Sequence, residues 1–328
     1  MNESMERKPS AKVLANDSGR TVLDWLSSRF TYFSRQSWLA MLGEGRVKVD
    51  GIIAAADRTL RASETVAFSP PPIDEPPIDA RCSIVFEDED YLIVDKSANL
   101  PCHPGGRYFE HSLQRLLQTE YGELRIATRL DRETSGLVLA CKSAESAAYI
   151  QSLQMGGGLE KTYLALVHGR FPGNLEAKGF LTVDTGSAVR KKRRFISGAE
   201  RPEVDKREAC WTSFDLVATV DAREPAPKSH FSLVKARPRT GRTHQIRASL
   251  LSLGYPIVGD KLYGLDEGCF LRFAEGLISE EDLSRLILPS QALHCAALYF
   301  RSSSGKAVTA SSSPTWDLPF DLLLPQLP

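Results

Sequence analysis

Arg129-Leu-Asp-Arg-Glu-Thr-Ser-Gly-Leu137 sets a single carboxylate, Asp131, between two guanidinium groups. A carboxylate flanked by Arg129 and Arg132 is expected to stay ionised, which makes Asp131 a candidate nucleophile or base. Ser135-Gly136 reads as a tight turn into the apolar strand Leu137 to Ala140, and loops held by rigid strands are where chemistry usually sits. By itself the peptide reads equally well as a surface loop of salt bridges. Glu133, two residues on, would make a glycosidase-like carboxylate pair with Asp131, within reach of about 5 Å. It lies between Arg132 and Thr134 with no apolar surround to raise its pKa, so it is a poor general acid.

A second charged segment, Arg239-Thr-Gly-Arg-Thr-His-Gln-Ile-Arg247, follows a strand at Phe231 to Ala236 and opens an apolar helix through Leu250, Leu251 and Leu253. Gly241 before a helix start offers free backbone N–H groups, and the nearby cations make an anion site. Arg242 and Arg247 are five apart and do not share a helix face. One of them can therefore face phosphate while the other points inward.

The elements that must position these groups follow from periodicity. Ile84-Val85-Phe86 and Tyr91 to Val94 bracket the acidic turn Glu87 to Asp90 as a hairpin. Leu100 to Gly106, with two prolines and two glycines, is a fixed loop; it carries His103, which receives no catalytic role. His111 to Tyr121 reads as an amphipathic helix leading to the Asp131 loop. Ser143 to Met155 reads as another, ending at Gly156-Gly157-Gly158. Lys161 to Gly169 is a strand with Lys161, Tyr163 and Ala165 on one face. On these residues alone, Tyr163 is a half-buried sheet tyrosine.

Arg129 to Leu137 resembles the active-site motif of the RluA-type RNA pseudouridine synthases, whose aspartate is the catalytic residue. Members have Lys-x-Tyr on a strand, matched by Lys161 and Tyr163, and Gly-Arg-Thr-His-Gln-Ile-Arg, matched by Gly241 to Arg247. The resemblance continues through Gly254 to Gly264 and Leu293-His294-Cys295, covering residues 83 to 317. Two departures stand out: Thr128 where many members have His, and Cys295 where Ala is common. The resemblance implies that Asp131, Tyr163 and Arg247 are catalytic. Tyr163 would stack on an extruded base, since every base offers a π-face. A buried arginine would pair with Asp131; Arg247 is the candidate and Arg242 would serve RNA or the loop, the spacing alone allowing the exchange. Arg129, Arg132, Arg242, His244 and Gln245 are expected to bind RNA or support the site.

Residues 19–69 read as a separate module. Leu23, Leu26 and Phe30 recur at helical spacing, as do Trp38, Met41 and Leu42 after the capping candidate Ser34; Val47 to Gly51 then reads as a strand and turn. This order resembles the αL-type RNA-binding motif shared with a small-subunit ribosomal protein, which implies phosphate contacts from Arg35, Arg46 and Lys48. A polar tail, 1–18, precedes it. A proline-rich linker, 70–80, follows, and the catalytic domain takes 81–328. The run Arg190, Lys191, Lys192, Arg193 and Arg194 adds a second expected RNA contact.

The expected fold is α+β: a pseudouridine synthase catalytic fold with a central, mostly antiparallel mixed sheet flanked by helices and loops, plus a small N-terminal α/β RNA-binding module. Over 328 residues, 41 basic and 41 acidic side chains balance, so RNA binding must rest on charge distribution. The first residues are polar, and no apolar run of roughly 20 residues suits a bilayer. Six scattered cysteines without a Cys-x-x-Cys pair read as buried free thiols in a reducing compartment. The expectation is a cytoplasmic monomer acting on RNA, without membrane, protein partner, metal or cofactor. It would isomerise specific uridines in structured RNA, foremost large-subunit ribosomal RNA. The alternatives are a transfer RNA pseudouridine synthase or a catalytically inactive RNA-binding protein.

Overall fold

The computed structural model describes residues 9–30, 33–69, 74–198, 209–221 and 230–318. The chain divides into two compact units, one formed by 1–77 with 104–112 and the other by 78–103 with 113–328.

In the first unit, strands β1 (Ser10–Lys12), β2 (Val47–Val49), β3 (Ile52–Ile53) and β4 (Thr65–Phe68) pair antiparallel in the order β1-β4-β2-β3. Helices α1 (Val22–Arg29) and α2 (Arg35–Gly43) start at Thr21 and Ser34, whose hydroxyls accept the N–H of Asp24 and Ser37. Their apolar faces supply Trp25, Leu26, Trp38 and Met41 to a core closed by Val47, Val49 and Phe68. Asp50 and Gly51 take φ of +48° and +82°, the left-handed pair that a two-residue hairpin requires. Two boundaries differ from the sequence expectation. Ser10–Lys12 lies in the expected polar tail, yet it is an edge strand. Segment 104–112, expected in the catalytic domain, groups with this unit, where the Glu75 carboxylate accepts the N–H groups of Phe109, Glu110 and His111 at 2.8, 2.9 and 2.8 Å. The prolines at 70–72 lie outside the described residues.

The second unit is built on an 11-stranded sheet. Its strands are β5 (Cys82–Glu87), β6 (Tyr91–Lys96), β7 (Arg125–Ile126), β8 (Ser135–Cys141), β9 (Glu160–His168), β10 (Asn174–Val183), β11 (Arg193–Ser197), β12 (Ala209–Asp221), β13 (His230–Pro238), β14 (Leu293–Arg301) and β15 (Ala307–Ser311). The main order is β11-β10-β12-β13-β9-β14-β8-β6-β5, with β15 on β14 and β7 on β8. Helices α3 (Leu113–Tyr121), α4 (Ala144–Gly156), α5 (Gln245–Ser252), α6 (Gly268–Glu275) and α7 (Glu280–Leu286) accompany it.

Strand alternation explains the unbroken apolar runs at 91–94 and 137–140. Leu92, Val94, Val138 and Ala140 pack with Leu113 and Leu117 of α3. Tyr91, Ile93, Leu137 and Leu139 face the opposite core, with Ile150 of α4 and Leu250 of α5. Both faces are covered, so neither needs polar residues. Among the described residues, β8 and β14 form the one parallel pair of this sheet, His294 opposite Ser135 and Cys295 opposite Gly136. Gly136 has φ +107°, and a Cβ there would lie 2.4 Å from the Cys295 carbonyl oxygen. Only glycine allows the backbones to meet where the Asp131 loop enters the sheet. Cys82 is exposed, unlike the other five free cysteines. No helix among the described residues is long and apolar enough to cross a membrane.

Candidate active site

The Asp131 loop spans from β7 to β8 and is fixed along its length. Thr128 N donates to the Leu139 carbonyl at 3.1 Å, and Leu139 N donates to the buried Thr128 hydroxyl at 2.8 Å. Threonine at this position is therefore a clamp that ties the loop to β8. Leu130 is held through Cys102, whose sulfur receives the Leu130 N–H at 3.3 Å and donates to its carbonyl at 3.4 Å. Beyond the carboxylate, Leu100 N and Lys96 Nζ both donate to the Arg132 carbonyl, at 3.1 and 3.3 Å. Lys96 is fully buried, and burial lowers its pKa to about 8.

The charge partner of Asp131 is neither flanking arginine. Arg132 pairs with Glu133 at 3.2 Å and lies over the Phe273 ring, while Arg129 is exposed at the cleft rim. Arg247, on the first turn of α5, donates from Nη1 to Asp131 Oδ2 at 2.6 Å. Its remaining nitrogens, Nε and Nη2, grip both oxygens of the buried Asp260 at 2.7 and 2.8 Å. Asp260 in turn accepts the N–H groups of Leu262 and Tyr263 at 3.0 and 2.9 Å. Burial pushes the Asp131 carboxyl up, but the Arg247 charge, with His244 and the Arg247 hydrogen bond, outweighs it. Its pKa is held below the usual carboxylate range, so Asp131 is ionised and aimed.

Arg242 does not share this pairing. It is exposed, with Nε on the Ala209 carbonyl at 3.3 Å. Gln245 is buried and belongs to the framework. Its carbonyl oxygen accepts Arg242 N at 3.0 Å and Thr240 Oγ1 at 2.7 Å, and its amide donates to Trp211 O and Thr212 Oγ1 at 3.1 and 2.9 Å. His244 caps α5 with φ +58°. Its Nδ1 lies 2.9 Å from Tyr263 Oη, which also accepts Arg193 N at 2.7 Å. With the tyrosine hydrogen assigned to Nδ1, the imidazole carries its own proton on Nε2, 3.8 Å from Asp131 Oδ1. Burial lowers the His244 pKa to about 4, so it is a neutral donor at neutral pH.

Tyr163 sits mid-strand on β9, opposite Ala236 on β13 and Cys295 on β14. Burial, with the adjoining Cys295 thiol, raises its phenol pKa well above normal. Asp131, Tyr163, His244 and Arg247 open on one cleft of about 780 Å³, rimmed by Arg129, Arg190, Lys191, Arg193 and Arg242. A single base fits that space.

The basic run divides. Arg190, Lys191 and Arg193 line the cleft, whereas Arg194 is exposed in a separate depression. Lys192 departs from the expectation of RNA contact, since it is bonded to Glu267 and lies 3.9 Å from Asp184. In the first unit, Arg35 pairs with Asp24 at 2.6 Å and Arg46 with Glu44; Lys48 is exposed on β2. Sequence reasoning assigned no role to Asp260, Lys261, Tyr263 or Lys96. The Gly254 to Gly264 segment was a visible signal for the first three.

The family described as RNA pseudouridylate synthase matches residues 90–252. The chain is 30% identical over 290 residues to the tRNA pseudouridine(31) synthase of Saccharomyces cerevisiae, covering 77% of this chain and 69% of that protein. It is 33% identical over 239 residues to an uncharacterized RNA pseudouridine synthase of Helicobacter pylori, covering 72% and 75%. Among solved structures, human RNA pseudouridylate synthase domain containing 1 superposes with a TM-score of 0.58 at 23% identity, over 76% of this chain and 94% of that one, a likeness of fold.

Proposed function

We propose, for a chain that belongs to the RNA pseudouridylate synthase family and is an RNA pseudouridine synthase, that Asp131 performs the isomerisation with Arg247 as its counter-ion and Tyr163 as the base platform. The observation that carries the reading is the 2.6 Å bond from Arg247 to Asp131 inside the cleft that Tyr163 also lines. A uridine in folded RNA cannot present its sugar until it leaves the stack, at a cost of a few kcal/mol. The exposed cations at the rim, Arg129, Arg190, Lys191 and Arg242, offset that cost by contacting phosphates. Once the base lies on Tyr163, the C1′–N1 bond breaks and its electron pair stays on uracil. Asp131 either closes on C1′ or takes the 2′ proton to leave a glycal. The base turns and C1′ bonds to C5 as the Asp131–C1′ bond breaks or, on the glycal route, as Asp131 returns the proton to C2′; the C5 proton then leaves and N1 gains one. Atoms and electrons balance without an oxidant or reductant.

Structured large-subunit ribosomal RNA is our assignment for the substrate. The first unit supports it as an accessory αL-type RNA contact, through Lys48 with Arg35 and Arg46, raising local substrate concentration. The 30% identity to a relative named for transfer RNA position 31 favours transfer RNA as the second reading. The enzyme is assigned to the cytoplasm as a monomer. Pseudouridine mapping of total RNA from cells with and without this gene decides between the RNAs. Single-turnover conversion of the mapped RNA tests the site. Asp131→Asn is expected to abolish conversion while retaining RNA binding; conversion at the wild-type rate would remove Asp131 from the chemistry.

A further inference from the structure

We infer that Lys161 is a further catalytic residue, whose ammonium takes up the negative charge that appears on the uracil oxygens as the glycosidic bond breaks. The inference rests on the uridine isomerisation proposed above and assigns the group that accepts the leaving charge.

Lys161 precedes Tyr163 by two residues on β9, so both side chains leave the same face of the strand. Both line the cleft that holds Asp131. The lysine reaches across to the wall opposite: a Cβ on Gly241 would lie 3.5 Å from Nζ. The ammonium therefore lies beside the Gly241 backbone, at the lining of the cleft. Among the described residues no hydrogen bond or ion pair holds the Lys161 ammonium. Burial lowers its pKa from the ordinary lysine value. A half-buried amine without a partner gains when a ligand supplies one.

The other cations of the cleft are differently placed. Arg247 commits Nη1 to Asp131 and its other nitrogens to Asp260. Arg132 is paired with Glu133. Arg129, Arg190, Lys191 and Arg242 are exposed, where water screens them. The Lys161 ammonium is half-buried and uncommitted. When the C1′–N1 electron pair stays on the base, its charge spreads over N1, O2 and O4. An ammonium already aimed at those oxygens stabilises the charge without reorganising.

The test uses the full-length enzyme and a transcript of the RNA segment around the mapped uridine. That transcript is prepared once with uridine and once with 5-fluorouridine, a better leaving base, at the target. Glycosidic rearrangement is followed under single turnover by nucleoside mass spectrometry, and Kd by filter binding. Lys161→Met keeps length and apolar contact but removes the charge. It is expected to lower the rate on uridine by about 10²–10³-fold, the loss typical of one preorganised donor, with Kd little changed. The loss is expected to shrink on 5-fluorouridine. Lys161→Arg is expected to recover part of the rate and to remove the fall in rate that wild type shows as pH rises through the lowered lysine pKa. Equal slowing of Lys161→Met on both RNAs, or a wild-type rate on uridine, overturns the inference. Wild-type enzyme that leaves uridine unchanged would instead overturn the underlying isomerase site.

Discussion

Asp260 and Lys261, neighbours in sequence, brace the Asp131 loop from two sides. Asp260 holds the Arg247 guanidinium that meets Asp131, while Lys261 Nζ donates to both oxygens of Glu133 at 2.9 and 3.0 Å. Asp260→Asn removes one charge and loosens the fork. Its rate is expected to fall by about 10²-fold, the cost of a misplaced reacting group, with RNA affinity retained. Lys261→Met leaves Glu133 only its Arg132 pairing, and is expected to lose about 1–3 kcal/mol of stability. Single-turnover rates and urea melts check both; an Asp260→Asn enzyme at full rate would show that Arg247 needs no second anchor.

Folding stability is expected to decline in mild acid. Burial pulls both His244 and His294 down to about 4, against a usual histidine value of 6.5. Between pH 6.5 and 4 the unfolded chain binds protons that the folded chain refuses, so stability falls as pH drops. Across that window the loss is roughly 3 kcal/mol per histidine, at about 1.4 kcal/mol per unit. Asp131 and Asp260 have depressed pKa values, so their stabilising contribution is lost only below the usual carboxylate range. Urea midpoints at pH 7 and pH 5 measure the effect; equal midpoints would contradict it.

Gly136→Ala sets a Cβ 2.4 Å from the Cys295 carbonyl oxygen at φ +107°. Backbone on both sides prevents relief. The expected cost exceeds about 4 kcal/mol, seen as lost soluble yield or a collapsed thermal midpoint. A variant with wild-type melting would mean that β8 and β14 separate freely.

Neutralising Arg190 and Lys191 together is expected to flatten the salt dependence of RNA binding. Two lost phosphate contacts reduce the slope of log K against log salt by roughly 1.5. Lys192→Gln should leave the slope unchanged, because Lys192 is engaged by Glu267 and Asp184. Filter binding over a salt series separates the three side chains, and a slope altered equally by Lys192→Gln would void the distinction.

Much of the catalytic unit is legible before folding. The apolar runs at 91–94 and 137–140, the helix opening at Gln245 and the cap at Ser34 are local patterns, and local physics decides them. The partner of Asp131 is a different matter. Its flanking arginines are nearest in sequence, yet the turn at 132–133 sets Arg132 on Glu133 and Arg129 stays at the rim, and the counter-ion comes from 116 residues away. Choosing Arg247 over Arg242 requires knowing that the first turn of α5, not the loop before it, faces Asp131, a tertiary fact. Asp260 hides because its function is to hold another side chain. Lys192 differs from Lys191 only through Glu267, which no spacing rule connects to it. Ser10–Lys12 is too short to announce a strand, and 104–112 joins the first unit through contacts such as those to the Glu75 carboxylate and the Pro76 carbonyl, which no local pattern connects to it.

The parallel seam between β8 and β14 also sets a timetable. Ser135 and His294, bonded at 2.9 Å across it, stand 159 residues apart in the chain. Closing so long a loop is slow compared with forming hairpins and helices. During synthesis Asp131 and Tyr163 emerge well before Arg247, Asp260 and Cys295. The growing polypeptide thus carries Asp131 unaimed until the last third of the chain docks.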